Sequence, residues 1–144
     1  SCWKKISDVW YYLGPTGVMQ IGWVKSGSKW YYMNKDGAMQ TGWVKVDNKW
    51  YYMDKSSGAM QTGWIQVNNA KYYMSSSGAM QTGWVKVDNK WYYMNPSGAM
   101  RTGWLKLNDV WYYLKSSGVM ACNESMVISG KKYNFNSNGR CLNP

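Results

Sequence analysis

The sequence has no histidine, a single phenylalanine, three prolines and three cysteines in 144 residues. Without an imidazole, neither a Ser-His nor a Cys-His nucleophile–base pair can be assembled. Three cysteines with no close Cys-x-x-Cys spacing make a poor ligand set, so no metal site and no cofactor are expected. Acidic residues are also scarce, seven Asp and Glu against 17 Lys and Arg, a formal net charge of +10. Asp8, Asp47, Asp88 and Asp109 fall at turn positions, where Asp is favoured for backbone reasons. No two carboxylates recur as a converging pair for acid–base work. No catalytic residue is therefore expected, and the chain reads as a binding module and not an enzyme. No signal peptide and no apolar run long enough to span a membrane are read in these residues. It begins Ser1-Cys2 in mid-pattern, as a piece of a larger or processed protein would.

What the chain does have is 11 Trp, 13 Tyr and 11 Met. Trp and Tyr combine a large π face with a polar tip, and Met adds a soft, adaptable surface. A generic core would draw on Leu, Ile, Val and Phe; this composition suits binding by ring faces and edges. The positive charge favours polyanions, whether nucleic acid, anionic lipid or an acidic wall polymer, without choosing among them.

The aromatics are periodic. The stretch GWVKVDNKWYYM occurs unchanged at Gly42–Met53 and Gly83–Met94. A Gly-Trp pair places Trp at 23, 43, 64, 84 and 104, with Trp3 preceding them in register after Cys2. A Trp-Tyr-Tyr triplet falls at 10–12, 30–32, 50–52, 91–93 and 111–113; the remaining copy reads Lys71-Tyr72-Tyr73. Gly-x-Met closes each unit, at Met19, Met39, Met60, Met80, Met100 and Met120. The period is 20 residues, with one unit of 21 where Ser56-Ser57 adds a residue.

Each unit predicts a hairpin. Trp43 to Val46 and Lys49 to Met53 are strands joined by Asp47-Asn48, a tight-turn pair. That turn pairs Val46 with Lys49, Lys45 with Trp50, Val44 with Tyr51 and Trp43 with Tyr52. Side chains alternate across a strand, so Trp43, Lys45, Trp50 and Tyr52 share one face and Val44, Val46 and Tyr51 the other. Tyr51 and its equivalents Tyr11, Tyr31, Tyr72, Tyr92 and Tyr112 are read as core between hairpins. The Ser- and Gly-rich segment from Asp54 to Thr62 is the connector. A lone hairpin is marginal in water, so the expected fold is all-β, a β-solenoid of about six stacked two-stranded hairpins over residues 1–121. Residues 122–144 form an atypical, degenerate repeat that caps the same domain. In that tail Glu124 is read at the place due to a Trp, Tyr133 survives from the triplet, and Gly139-Arg140-Cys141 replaces Gly-x-Met. Cys122 and Cys141 are near enough in sequence for a disulfide in an exported protein, although spacing alone does not fix connectivity.

Slots walled by Trp and Tyr and free of carboxylates suit a quaternary ammonium ion. It donates no hydrogen bond, and ring quadrupoles attract its methyl-clad charge by about 0.5–2 kcal/mol per well-placed ring. At this point the Gly-Trp, Trp-Tyr-Tyr and Gly-x-Met pattern resembles the choline-binding repeats of pneumococcal and related bacterial surface proteins, strongly over residues 2 to 120 and weakly over the tail. The resemblance implies a secreted, wall-attached module that binds choline or phosphocholine on teichoic and lipoteichoic acids and anchors a partner domain, often a murein hydrolase. Some relatives dimerise through terminal hairpins, which leaves a homodimer open.

Carried over residue by residue, the resemblance implies sites of two Trp from one repeat, the second triplet Tyr of the next, and its Met. These are Trp3, Trp10, Tyr32 and Met39; Trp23, Trp30, Tyr52 and Met60; Trp43, Trp50, Tyr73 and Met80; and Trp84, Trp91, Tyr113 and Met120. Two sets depart. Trp64 and Tyr93 meet Lys71 in place of a Trp, and Trp104 and Trp111 would be closed by Tyr133 in a tail of uncertain register, so both are expected to be weak or degenerate. Cys2 stands where a Gly precedes Trp in other copies. The alternative ligand class is carbohydrate, since glucan-binding repeats also carry Gly-Trp and Tyr-Tyr. Stacking of single-stranded bases fits less well, because the lysines are scattered at turns (Lys29, Lys49, Lys90) while the aromatics follow the hairpin period; no specific nucleic acid is expected.

Overall fold

The computed structural model describes residues 1–144. It holds fourteen five-residue strands, paired as seven antiparallel hairpins. They are β1 (Cys2–Ile6) with β2 (Val9–Leu13), β3 (Gly22–Ser26) with β4 (Lys29–Met33), and β5 (Gly42–Val46) with β6 (Lys49–Met53). β7 (Gly63–Val67) joins β8 (Ala70–Met74), and β9 (Gly83–Val87) joins β10 (Lys90–Met94). β11 (Gly103–Leu107) joins β12 (Val110–Leu114), and β13 (Glu124–Ile128) joins β14 (Lys131–Phe135).

The register follows from the turn. Asp47 and Asn48 both adopt positive φ, 50° and 65°, the conformation that matches a two-residue hairpin to the twist of its strands. Val46 then pairs with Lys49, Lys45 with Trp50, Val44 with Tyr51 and Trp43 with Tyr52, the pairing read from the sequence.

The fully buried side chains are not the aromatics. Met33, Met53, Met74, Met94 and Leu114, each at the end of a hairpin's second strand, are 0 % exposed. Each faces the Met that closes its own unit across an isolated bridge, as in Met53 with Met60 or Leu114 with Met120. The connector between them is wound by side-chain caps. Asp54 Oδ1 accepts bonds from the Ser56 and Ser57 amides at 2.9 Å and from the Ser56 hydroxyl at 2.7 Å. Asn34 Oδ1 does the same for the amides of Asp36 and Ala38. Short polar side chains at these places compete for backbone donors and so fix turns.

The chain divides into two compact units, one of Ser1–Ile65 with Met74–Met80 and one of Gln66–Tyr73 with Gln81–Pro144. Within the first, the amides of Met39, Met60 and Met80 donate to the carbonyls of Trp10, Trp30 and Trp50 at 2.8–2.9 Å. Within the second, the amides of Met100, Met120 and Cys141 donate to Lys71, Trp91 and Trp111 at 2.8 Å. From the second hairpin on, the last residue of each closing triplet thus ties its hairpin to the one before.

The seventh hairpin corrects one alignment. Ser125, not Glu124, occupies the Trp position, because Ser125 pairs with Asn134 as Trp43 pairs with Tyr52. Glu124 takes the Gly position opposite Phe135. One face of this hairpin, Met126, Ile128 and Tyr133, packs on the cluster of Ala121, Phe135 and Cys141. The other, Ser125, Val127, Lys132 and Asn134, is exposed, with Ser125 Oγ bonded to Asn134 Oδ1 at 2.6 Å. This hairpin thus offers polar groups on the face where the others offer aromatics.

The cysteines also correct an expectation. Cys2, Cys122 and Cys141 are free thiols, and no Cys122–Cys141 bridge forms. Ala121 and Cys122 are adjacent but packed against different clusters, Ala121 with Phe135 and Cys141, Cys122 with Leu105, Leu114 and Met120.

One ion pair ties the connector after β12 to β13. Lys115 Nζ lies 2.9 Å from Glu124 Oε2, which also accepts the Cys122 amide at 3.2 Å. The Lys115 bond, with the Cys122 amide behind it, holds the Glu124 carboxyl below its usual range. A depressed carboxylate stabilises the fold above its unfolded pKa, about 4.3 for Glu, and loses that contribution as pH falls through the lower folded value. The thermal midpoint of Glu124→Gln should therefore lie below that of the parent at pH 7, and the gap should close on acidification. A gap that is constant to pH 2 would contradict this.

Candidate functional site

The aromatic face of one hairpin and the opposite face of the next build a three-sided cage. In the first unit Trp3 and Trp10 meet edge-to-face, centroids 6.3 Å apart at 89°, and Tyr31 of the next hairpin stands 4.8 Å from Trp3 at 70°. The Trp3 indole N–H donates to Ser26 Oγ at 3.2 Å, which fixes the ring. Met39 completes the wall, and Ser56 and Ser57 lie at the rim of a cleft of about 310 Å³. Cys2 lies in β1 opposite Leu13 and leaves Trp3 in this common arrangement. Trp23 and Trp30 repeat it at 6.4 Å and 86°, with Tyr51 at 4.9 Å from Trp23 and the Met60 amide bonded to the Trp30 carbonyl.

In the second unit Trp84 and Trp91 lie 6.4 Å apart at 90°, with Tyr112 at 5.1 Å from Trp84. Met120, Ser137 and Asn138 complete a cleft of about 290 Å³. Trp104 and Trp111 lie 6.0 Å apart, with Tyr133 at 4.8 Å from Trp104. With Pro144 they line another cleft of about 290 Å³. The expected degeneracy of this last set is not seen in its rings: Tyr133 sits as the other closing tyrosines do. Cys141 there takes the backbone place of the Met.

The closing tyrosine differs from the expected one. Tyr31, Tyr51 and Tyr112, the middle residues of their triplets, face the preceding hairpin's Trp. Tyr32, Tyr52 and Tyr113 pack instead against Trp23, Trp43 and Trp104 of their own hairpins, at 5.0–5.1 Å. The reason is strand alternation. When hairpins stack in one sense, the face carrying the Trp pair meets the next hairpin's opposite face, and only the middle Tyr is on it. Trp43, Trp50 and Met80 belong to the first unit and Tyr72 and Tyr73 to the second. Trp64 belongs to the first, and Lys71 and Tyr93 to the second.

Two classes of lining residue had no sequence signal of their own. Ser56-Ser57 and Ser137-Asn138 come from connectors two hairpins downstream of the Trp pair they border. The glycine of Gly-x-Met has a second duty besides its turn. Gly58 has φ +78°, and a Cβ there would stand 2.5 Å from Met39 Sδ. Gly58→Ala should strain the backbone by about 1–2 kcal/mol and push Met39 out of the first cage. A lower thermal midpoint together with weaker ligand binding at the Trp3 cage is the expected result.

No Asp or Glu side chain lines these three clefts. A primary ammonium finds no Asp or Glu partner there for its N–H donors; a quaternary one needs none. The triplet Trp rings stay open to incoming ligand, with Trp10, Trp30 and Trp91 38–40 % exposed. Asp54, which winds the Ser56-Ser57 loop, has its pKa lowered to about 2 by the Ser57 amide, then by the Ser56 hydroxyl and amide. Asp54 therefore stays ionised from pH 8 to 4, and ligand binding at the Trp3 cage should show no dependence on it over that range. A transition near pH 6 in a ligand titration would contradict that.

The choline-binding repeat family matches residues 1–36, 21–62, 61–100 and 82–125. No curated protein matches the chain in sequence. Among solved structures, choline binding protein F of Streptococcus pneumoniae, determined in the presence of a peptidoglycan analogue, is 44 % identical over 98 % of this chain and 46 % of its own, with a TM-score of 0.90. CbpJ from S. pneumoniae TIGR4 is 46 % identical over 97 % of this chain and 47 % of its own, TM-score 0.89. The pneumococcal cell-wall endolysin of phage Cp-1, complexed with choline, is 38 % identical over 94 % and 40 %, TM-score 0.59. The chain thus spans less than half the length of these relatives. Repeat pattern, hairpin register and cage geometry agree with the match, and the chain belongs to the choline-binding repeat family.

Proposed function

We propose that the chain is a non-catalytic wall-anchoring module that binds choline, or the phosphocholine of teichoic and lipoteichoic acids, in the aromatic cages between consecutive hairpins. The single observation that carries this is the recurring cage of two edge-on Trp and one Tyr, without a carboxylate. The solved Cp-1 endolysin relative in complex with choline supports the ligand. The residues proposed to bind are Trp3, Trp10, Tyr31 and Met39; Trp23, Trp30, Tyr51 and Met60; Trp84, Trp91, Tyr112 and Met120; and Trp104, Trp111 and Tyr133. Several weak cages facing a polymer with many choline groups give avidity far above one cage's affinity. Such a module works outside the cell, on the surface or secreted, and holds there whatever domain it is joined to.

Titration of the Trp fluorescence with choline and, separately, with glucan oligosaccharides tests the assignment. Saturation by choline, with no response to the sugars, is the expected result. Saturation by glucan alone would transfer the cages to ring-on-sugar stacking.

A further inference from the structure

The cages are accompanied by a second repeating feature that a bare cation does not explain. In five hairpins a lysine stands directly across the strand pair from the triplet Trp: Lys5 opposite Trp10, Lys25 opposite Trp30, Lys45 opposite Trp50, Lys86 opposite Trp91 and Lys106 opposite Trp111. Each ammonium lies over that indole, 5.5–5.9 Å from the ring centroid. None of these lysines lines a cleft; they stand on the same hairpin face, beside the cage. Lys5 and Lys106 also approach Asp8 at 3.8 Å and Asp109 at 4.0 Å, yet those carboxylates are 98 % exposed and the lysine side chains about half exposed. Such contacts hold a lysine weakly.

For a simple cation this is a poor arrangement. The resident ammonium uses the same π system that would attract the ligand, and its like charge repels the ligand at short range. The sequence shows that the lysine goes with the indole: in Gly63-Trp64-Ile65-Gln66-Val67, where the triplet Trp becomes Lys71, the lysine position becomes Gln66. The repulsion turns into attraction if the ligand carries an anion one short linker away from its ammonium. A phosphate esterified to choline is such an anion, and a flexible, half-exposed lysine reaches it at the cage mouth as a point charge.

We infer that the lysine facing each triplet Trp (Lys5, Lys25, Lys86 and Lys106 at the cages described) reads the phosphate of a phosphocholine group, and that this makes the cages selective for the zwitterion over free choline. The inference rests on the quaternary-ammonium reading of the cages. It places the phosphodiester, not the ammonium alone, in the recognised unit.

Calorimetric titration of the parent and of a Lys5→Gln, Lys25→Gln, Lys86→Gln, Lys106→Gln variant with choline and with phosphocholine tests it. At low salt the parent should bind phosphocholine about three- to tenfold more tightly than choline, the scale of one screened charge pair at this distance. The variant should lose that preference from both sides, choline binding more tightly and phosphocholine more weakly, and high salt should shrink the preference in the parent. The same four changes to Arg keep the charge and should restore the preference, which separates charge from fold. A parent with no preference, or a variant that keeps it, overturns the inference; because choline would still saturate the cages, the proposed function would survive. Failure of both ligands to bind either folded protein would sink that function too. Phosphocholine occurs on wall polymers and on phosphatidylcholine. Retention on phosphocholine-substituted teichoic acid against co-sedimentation with phosphatidylcholine vesicles distinguishes the two, and lysine-independent binding to both would again overturn the inference.

Discussion

Replacing Met94 by Ala should lower stability by about 2–5 kcal/mol, the range for truncating a fully buried Met. Met94 is 0 % exposed and closes the end of β10, facing Met100 across an isolated bridge. Its removal leaves a void where two strands and a connector meet, and the surrounding backbone is held by the Arg101 amide bond to the Tyr93 carbonyl at 2.8 Å, so it cannot collapse freely. For a chain of this length the loss corresponds to a fall in thermal midpoint of roughly 6–15 °C. Met94→Leu is the control. Leu13 and Leu114 already occupy the equivalent position at the ends of β2 and β12, and volume-conserving swaps usually cost below about 1.5 kcal/mol. Equal losses from Ala and Leu would show that the thioether itself, and not the filled volume, is needed.

The second large effect concerns the ligand. Tyr112→Leu should remove one of three ring walls from the cage of Trp84 and Trp91, whose centroids lie 6.4 Å apart. With a cation–π contribution of about 0.5–2 kcal/mol per desolvated ring, choline affinity there should fall by about two- to thirtyfold. Tyr113→Leu, one residue along, should spare that cage, since Tyr113 packs 5.0 Å from Trp104 on its own hairpin. Tyr112→Phe keeps the ring face and should bind nearly as the parent does. Site-resolved shifts of fluorotryptophan resonances for Trp84 and Trp91 during a choline titration would read the effect. The opposite ranking, Tyr113→Leu harmful to this cage and Tyr112→Leu harmless, would return the closing role to the last residue of the triplet.

That contrast shows what the sequence made legible. The period of 20, the Asp47-Asn48 turn and the cross-strand pairs could be read directly, because turn chemistry and alternation are local. Alternation also put Tyr51 on the face opposite Trp43 and Trp50. The closing tyrosine followed from one further step, that identical bricks stacked in one sense present unlike faces to each other. The repeat resemblance pointed to the other Tyr, and local pairing within a hairpin could not correct it. Ser56, Ser57, Ser137 and Asn138 reach the cages from two hairpins downstream, a distance that no motif encodes. The tail was harder for another reason. With Ser125, Lys132 and Asn134 in place of Trp, Trp and Tyr, nothing in its residues fixes the register, and only the pairing of Glu124 with Phe135 does. The buried methionines were visible as letters but not as core, because the same residue type also walls the cages.

The charge deserves one physical distinction. A net charge of +10 draws the chain toward any anionic polymer, and that attraction is screened by salt. A choline held among ring faces is screened far less.

Calorimetric titration of the protein with choline chloride at low and at high salt decides whether the cages take the cation. Saturable binding that persists at high salt, to more than one site per chain, is the predicted result. Absence of choline binding in a protein whose circular dichroism shows it folded would contradict the assignment of the cages.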